Sequence, residues 1–312
     1  MKVKNRLNIL GLTLFLFIFL PIQAFAHNPD VRATGEGNLF QQYTWFEILN
    51  PILLLSLIVV YIAYLRTMRK ISKKRLGERN LRKKICFLLG LLTIYITLAG
   101  PLAILSNNLV FSAHMLQTSL MYIVMPPLIL LGMPQGFYHF LDEKIFKPKI
   151  LRILKSPLIN LILFNALWSF YHIPSIYEYF LEEFILLEIL HIVLNTSAFL
   201  MWIQVLAPEG QINDMSYLKK LGYMFANGLL ITPACALIIF GGDVIYPSIF
   251  ESPQLFPWLG PLQDQRLGGI IMKVVQEFSY GTAITYVFFK WARLERAKDA
   301  QIDELPEHFV NE

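Results

Sequence analysis

The apolar residues of this chain fall into runs of about twenty, separated by short charged segments. Twenty residues of α-helix rise about 30 Å, the thickness of a bilayer's hydrocarbon core. Seven such runs follow the N-terminal region, at approximately Trp45–Leu65, Ile85–Leu105, Phe111–Gly132, Leu158–Ile173, Phe184–Leu206, Leu221–Phe240 and Leu267–Phe289. Backbone polar groups inside hydrocarbon must be satisfied within the spanning structure, which a helix does on its own. Only 16% of the residues are charged and 55% are hydrophobic, too little charge to cover a water-soluble domain of 312 residues. The expected fold is an all-α membrane protein, a seven-transmembrane helix bundle after an N-terminal signal peptide. Pro51, Pro101, Pro126, Pro127 and Pro233 lie within the runs and should kink their helices.

The signal peptide rests on an ordered pattern. Lys2, Lys4 and Arg6 precede an apolar stretch from Leu7 to Leu20, Pro21 breaks it, and Ala24-Phe25-Ala26 supplies an A-x-A cleavage pattern. An uncleaved first helix is the alternative. Cleavage would leave His27 at the mature N-terminus, where a free amine and an imidazole on one residue can chelate copper, although chance placement explains it equally.

Positive charge crowds alternate connections. Arg66, Arg69, Lys70, Lys73, Lys74, Arg75, Arg79, Arg82, Lys83 and Lys84 fill the first, and Lys144, Lys147, Lys149, Arg152 and Lys155 the second. Lys219 and Lys220 mark the third, and Lys290, Arg293, Arg296 and Lys298 follow the last run. The remaining connections carry only Arg32 and Arg266. The positive-inside rule puts the mature N-terminus outside and the C-terminus in the cytoplasm. The expected division is residues 1–26 signal peptide, 27–44 extracytoplasmic segment, 45–291 seven-helix domain and 292–312 cytoplasmic tail. The net charge of +5 therefore points to lipid headgroups and not to nucleic acid. Cys86 and Cys235 lie in separate apolar runs without a C-x-x-C, which removes the usual support for thiolate zinc sites.

A polar side chain inside a span is costly, so each one is a candidate site. His114, His172, Glu188, His191, Met272, Lys273, Gln276 and Glu277 come from four runs yet share the outer third to half of the membrane by helical rise. His114, Gln117 and Thr118 share a helix face, and Glu188 stands three residues before His191, where a carboxylate can hold an imidazole in one tautomer. Lys273 and Glu277 are spaced to neutralise each other across one turn. Imidazole with thioether suits copper, and His114, Met115, His172, His191 and Met272 can supply that set. Haem held between His114 and His191 is a second possibility; ordinary interfacial histidines and packing methionines are the plain one. His139 and His308 lie on the cytoplasmic side. The Pro- and aromatic-rich connection from Gly241 to Gln265 reads as an ordered cap over the outer end. No G-x-S-x-G, H-E-x-x-H or Walker A pattern is present, and nothing else in the sequence suggests an enzyme.

Three stretches carry a family likeness: Phe111-Ser112-Ala113-His114-Met115-Leu116-Gln117 leading to Pro126-Pro127, Trp168 with Tyr171-His172-Ile173-Pro174, and Asp264-Gln265 with Gly268-Gly269 and Met272. Together they resemble the CtaG family of cytochrome c oxidase assembly factors, in the form found in Bacillus and its relatives, over most of Trp45 to Trp291. The resemblance implies maturation of a caa-type haem-copper oxidase, help in forming a copper centre, oxidase subunits as partners and a copper donor protein. It marks His114, Met115, Gln117, His172, Asp264, Gln265, Gly268, Gly269 and Met272. Where many relatives carry a second histidine, this chain has Thr118, and Lys273 stands where an aromatic is common; both departures add weight to a scaffold without metal. A copper transporter needs polar or soft groups continuing to the cytoplasmic face; below the outer layer lie Asn165, Asn195, Thr196, Asn227 and Thr232, but no further His and few Met in line. A haem-binding electron-transfer protein is the third alternative.

Overall fold

A computed structural model describes residues 39–72, 81–108, 110–149, 151–208, 210–251, 256 and 258–303. The signal-peptide segment, His27, the basic residues Lys73, Lys74, Arg75 and Arg79, and His308 lie outside them. Among the described residues the structure is helical and contains no strand. The main helices are α1 (Pro51–Ser72), α2 (Leu81–Leu98), α3 (Gly100–Asn107), α4 (Phe111–Gly132), α5 (Gln135–Phe140), α6 (Pro157–Tyr171), α7 (Pro174–Glu182), α8 (Phe184–Leu206), α9 (Tyr217–Phe240) and α10 (Pro261–Asp303).

Four helices are long and apolar enough to cross a membrane: α1 with the short turn ahead of it (Trp45–Lys70), α4, most of α8 (Ile185–Leu206) and α9. Taken together, α2 and α3 make a fifth, broken by a 41° bend. The other two expected spans coincide with helices of different character. The apolar α6 has 15 residues, and α10 runs for 43 with Lys273, Gln276 and Glu277 in its apolar part. The chain is thus an α-helical membrane protein.

Local chemistry sets the helix ends. Pro51, Pro157, Pro174 and Pro261 each open a helix, at the position where a missing N–H leaves nothing unpaired. The α2–α3 bend has two causes. Gly100 adopts a φ of +75°, a left-handed conformation that side chains disfavour. Pro101 then lacks the N–H that would bond the Thr97 carbonyl, so that oxygen is released into the bundle. In α4, a wide π-helical turn at Leu120–Val124 stands just ahead of Pro126 and Pro127 and takes up the break in the hydrogen-bond ladder.

Two-thirds of α4 and of α8 is buried, against 17% of α1, so α4 and α8 form the centre and α1 the rim. Without a hydrophobic drive between helices in lipid, close backbone approach carries the packing. A Cβ on Gly132 would stand 2.6 Å from the Phe87 Cβ and 2.9 Å from its Cα, which fixes α4 tightly on α2. Tyr64 of α1 stacks on Phe87 at 4.0 Å and donates to the Gly132 carbonyl at 2.8 Å.

Candidate functional site

The first turn of α10 positions the start of α4. Asp264 accepts from the Phe111 N–H at 2.8 Å and the Ser112 N–H at 3.0 Å. The first N–H groups of a helix have no partner within it, and a carboxylate there also meets the positive end of the helix dipole. Gln265 accepts from the Ile245 N–H at 2.8 Å and donates to the Asp243 carbonyl at 3.3 Å, tying down the connection after α9. One turn on, a Cβ on Gly268 would lie 2.7 Å from the Phe111 ring and 2.9 Å from the Met115 Cγ. One on Gly269 would meet Ile238 and Ile239 of α9 at 2.9 and 2.7 Å. Asp264, Gln265, Gly268 and Gly269 are therefore devices that seat α10 against α4 and α9, and His114 follows one turn inside the capped end.

A directed chain of hydrogen bonds orients His114. The Thr97 carbonyl, freed by Pro101, accepts from Gln117 Nε2 at 2.6 Å. That leaves Gln117 Oε1 facing Ser106, whose hydroxyl donates to it at 2.6 Å. Ser106 has no second proton, so at 3.3 Å from His114 Nδ1 it accepts. The neutral ring therefore carries its proton on Nδ1, and Nε2 accepts from the Tyr171 hydroxyl at 2.8 Å. Thr97, Ser106, His114 and Gln117 are all buried.

Each of the three histidines expected at one level lies against one ring, that of Tyr171. The Tyr171 ring centroid lies 6.0 Å from that of His114, 5.1 Å from His172 and 5.7 Å from His191. His172 Nδ1 donates to the Trp168 carbonyl at 2.7 Å; its Nε2, buried, has no hydrogen-bond partner among the described residues. His191 Nδ1 pairs with the Tyr122 hydroxyl at 2.5 Å, and Tyr122 belongs to the wide turn of α4. This corrects the expected Glu188–His191 pair. The imidazole bonds across to α4 instead of back along α8, and both Glu188 carboxylate oxygens are buried without a partner.

A lid of aromatic rings closes the histidine end. Tyr246, from the connection between α9 and α10, stacks on Phe111 at 4.7 Å, meets Tyr177 at 5.0 Å and donates to the His172 carbonyl at 2.7 Å. Ser248 beside it bonds Glu178 of α7 at 2.8 Å. Tyr246 and Ser248 are the part of the expected cap seen against the histidine end; Pro253 and Pro257 lie outside the described residues. Tyr122, Tyr177, Tyr246 and Ser106 escaped the sequence reading. Pro101 was the available signal for the relay, because a proline four residues on announces a carbonyl needing a donor.

Met115 and Met272 are fully buried. Lys273 pairs with Glu277 at 2.6 Å as its spacing implied, and also donates to Thr232 at 2.9 Å and Gln276 Oε1 at 3.0 Å. His139 is exposed and pairs with Glu143 at 3.2 Å. Among the described residues, no group of three or more His, Cys, Asp or Glu side chains is arranged to hold a metal ion. The donor chemistry still fits copper at one atom, His172 Nε2. Ligation by His114 Nε2 or His191 Nδ1, to copper or to haem, requires a tyrosine hydroxyl to move aside.

Fold and site together define a helical membrane protein with a buried histidine–tyrosine cluster at one end. A family model described as cytochrome c oxidase caa3 assembly factor (Caa3_CtaG) matches residues 59–294. The match covers about three quarters of the chain, and the protein belongs to that family. No curated protein and no solved structure matches the chain.

Proposed function

We propose that the protein acts in the cell membrane as a non-catalytic factor for a caa3-type cytochrome c oxidase, offering copper a transient site at an outward-facing histidine end. In this reading residues 45–291 cross the membrane seven times, with α2 and α3 forming one span. The mature N-terminus is outside and the C-terminus cytoplasmic, as the alternating basic connections require.

One observation carries the copper reading: the buried, unpartnered Nε2 of His172, whose ring shares the neighbour Tyr171 with the rings of His114 and His191. Imidazole and thioether donors suit copper, so His114, His191, Met115 and Met272 are its further ligands here. The buried Glu188 carboxylate, with neither oxygen bonded, balances the charge of an arriving cation. Oxidase subunits and a copper donor protein meet the site at the Tyr246 lid.

A scaffold without metal is the second reading, favoured by the tyrosine hydroxyls that already engage His114 and His191. Cells carrying His172→Ala separate the two. Under the copper reading the oxidase polypeptides accumulate while their activity falls. Disappearance of the polypeptides themselves would sink the copper reading and leave the scaffold.

A further inference from the structure

A second group of buried polar side chains lies on α6, α8, α9 and α10, away from the histidines. Asn165 Nδ2 donates to Asn227 Oδ1 at 2.9 Å and joins α6 to α9. The Tyr223 hydroxyl donates to the Met201 carbonyl at 3.4 Å and joins α9 to α8 beside Trp202. The Trp202 and Tyr280 rings meet edge to face at 5.5 Å and join α8 to α10. A Cβ on Gly228, next to Asn227, would stand 3.3 Å from Gln276 Nε2 and 3.7 Å from Tyr280 Cδ2. These contacts enclose one region. By helical rise it lies about 9 Å from Tyr171 along α6 and about 18 Å from Asp264 along α10.

Four polar atoms of this group have no hydrogen-bond partner among the described residues: Asn165 Oδ1, Trp202 Nε1, Gln276 Nε2 and the Tyr280 hydroxyl. Their residues are at most 4% exposed. The neighbouring groups are already engaged, since Gln276 Oε1 accepts from Lys273 and Asn227 Nδ2 donates to the Tyr223 carbonyl. Four buried polar atoms left unpaired would oppose folding on the scale of a domain's net stability.

We propose that these atoms line an internal water site, a small cluster of ordered water held between α6, α8, α9 and α10. The set is mixed. The indole and amide N–H groups only donate, the Asn165 oxygen only accepts, and the Tyr280 hydroxyl does either. Water matches all of them, accepting from the N–H groups and donating to the oxygen, with the two to four polar partners that buried water takes. An anion would face the Asn165 oxygen, and a metal cation would face two N–H groups. The missing side chain at Gly228 lets the α9 backbone come close to the unpaired Gln276 amide nitrogen.

X-ray radiolysis of the full chain in lipid nanodiscs, read by mass spectrometry, tests this. Radicals form where water resides, so a buried ring is oxidised when water lies against it. Tyr64 and Tyr138 are internal controls, being similarly buried but with hydroxyls donating to backbone carbonyls at 2.8 and 2.7 Å. The proposal expects Tyr280 to oxidise several-fold faster than either, and Gln276→Leu to bring it down to their rate. Wild-type Tyr280 oxidising no faster than Tyr64 and Tyr138 would overturn the proposal without recourse to any variant.

Discussion

The histidine end and the group around Gln276 are built from similar side chains, yet they differ in what holds their central side chains. Around Tyr171, the relay from the Thr97 carbonyl through Gln117 and Ser106 to His114 closes inside the protein. Around Gln276, four polar atoms end without a protein partner. A satisfied network in a low-dielectric interior is rigid, because each bond restricts the donors and acceptors on either side. The first region therefore presents imidazoles whose orientation is set in advance, and leaves His172 Nε2, Trp168 Nε1 and the Glu188 carboxylate open. The second region is completed by what enters it. The contrast separates a site organised to present a ligand atom from one organised to hold solvent.

Removing the centre of the first region should have the largest effect. Tyr171→Ala deletes a fully buried ring and strands His114 Nε2, so a loss of about 3–5 kcal/mol is expected in thermal unfolding in detergent. A loss below about 1 kcal/mol, the net worth of a single ordinary hydrogen bond, would break the claim that this ring organises the end. Asp264→Ala comes next, at about 2–3 kcal/mol, because it orphans the N–H groups of Phe111 and Ser112. Asp264→Asn, which keeps one acceptor, should lose less in the same assay.

The relay itself is sharpened by a pair of substitutions. Gln117→Leu should cost about 1–3 kcal/mol by stranding the Thr97 carbonyl. Combined with Tyr171→Phe, the two losses should fall short of their sum, since both act on one network. Strict additivity in this double-mutant cycle would separate His114 from the relay. The smallest effect belongs to Glu277→Gln, which removes the Lys273–Glu277 ion pair and leaves the Lys273 bonds to Thr232 and Gln276 in place. That ion pair is partly exposed, at 27% and 61%, and its loss should change stability by less than about 1 kcal/mol. A larger change would bring Lys273 into the energetics of the Gln276 group.

Much of this was legible in the sequence, and the rest failed for an identifiable reason. Run length and proline placement located the helices, and depth along each run brought His114, His172 and His191 to one level. Depth says nothing about rotation. Rotation about α6 is what sets Tyr171 between the imidazoles, and rotation about α8 is what turns His191 to Tyr122 and leaves Glu188 without a partner. Asp264 and Gln265 were visible as candidates, but their role as clamps on Phe111, Ser112 and Ile245 depends on contacts more than 20 residues distant for the first two and 20 for the third. Spacing within one helix resolves i, i+4 pairs such as Lys273–Glu277 and cannot reach across helices.

The central claim, that the histidine end presents His172 Nε2 to copper, is tested most directly by elemental analysis. Wild-type protein and His172→Ala, purified in detergent, are incubated with Cu(I) under reducing conditions, desalted and assayed for copper per chain. The account predicts stoichiometric copper in the wild type and its loss in His172→Ala. Wild-type protein that emerges free of copper, or a His172→Ala variant that retains it in full, would contradict the account.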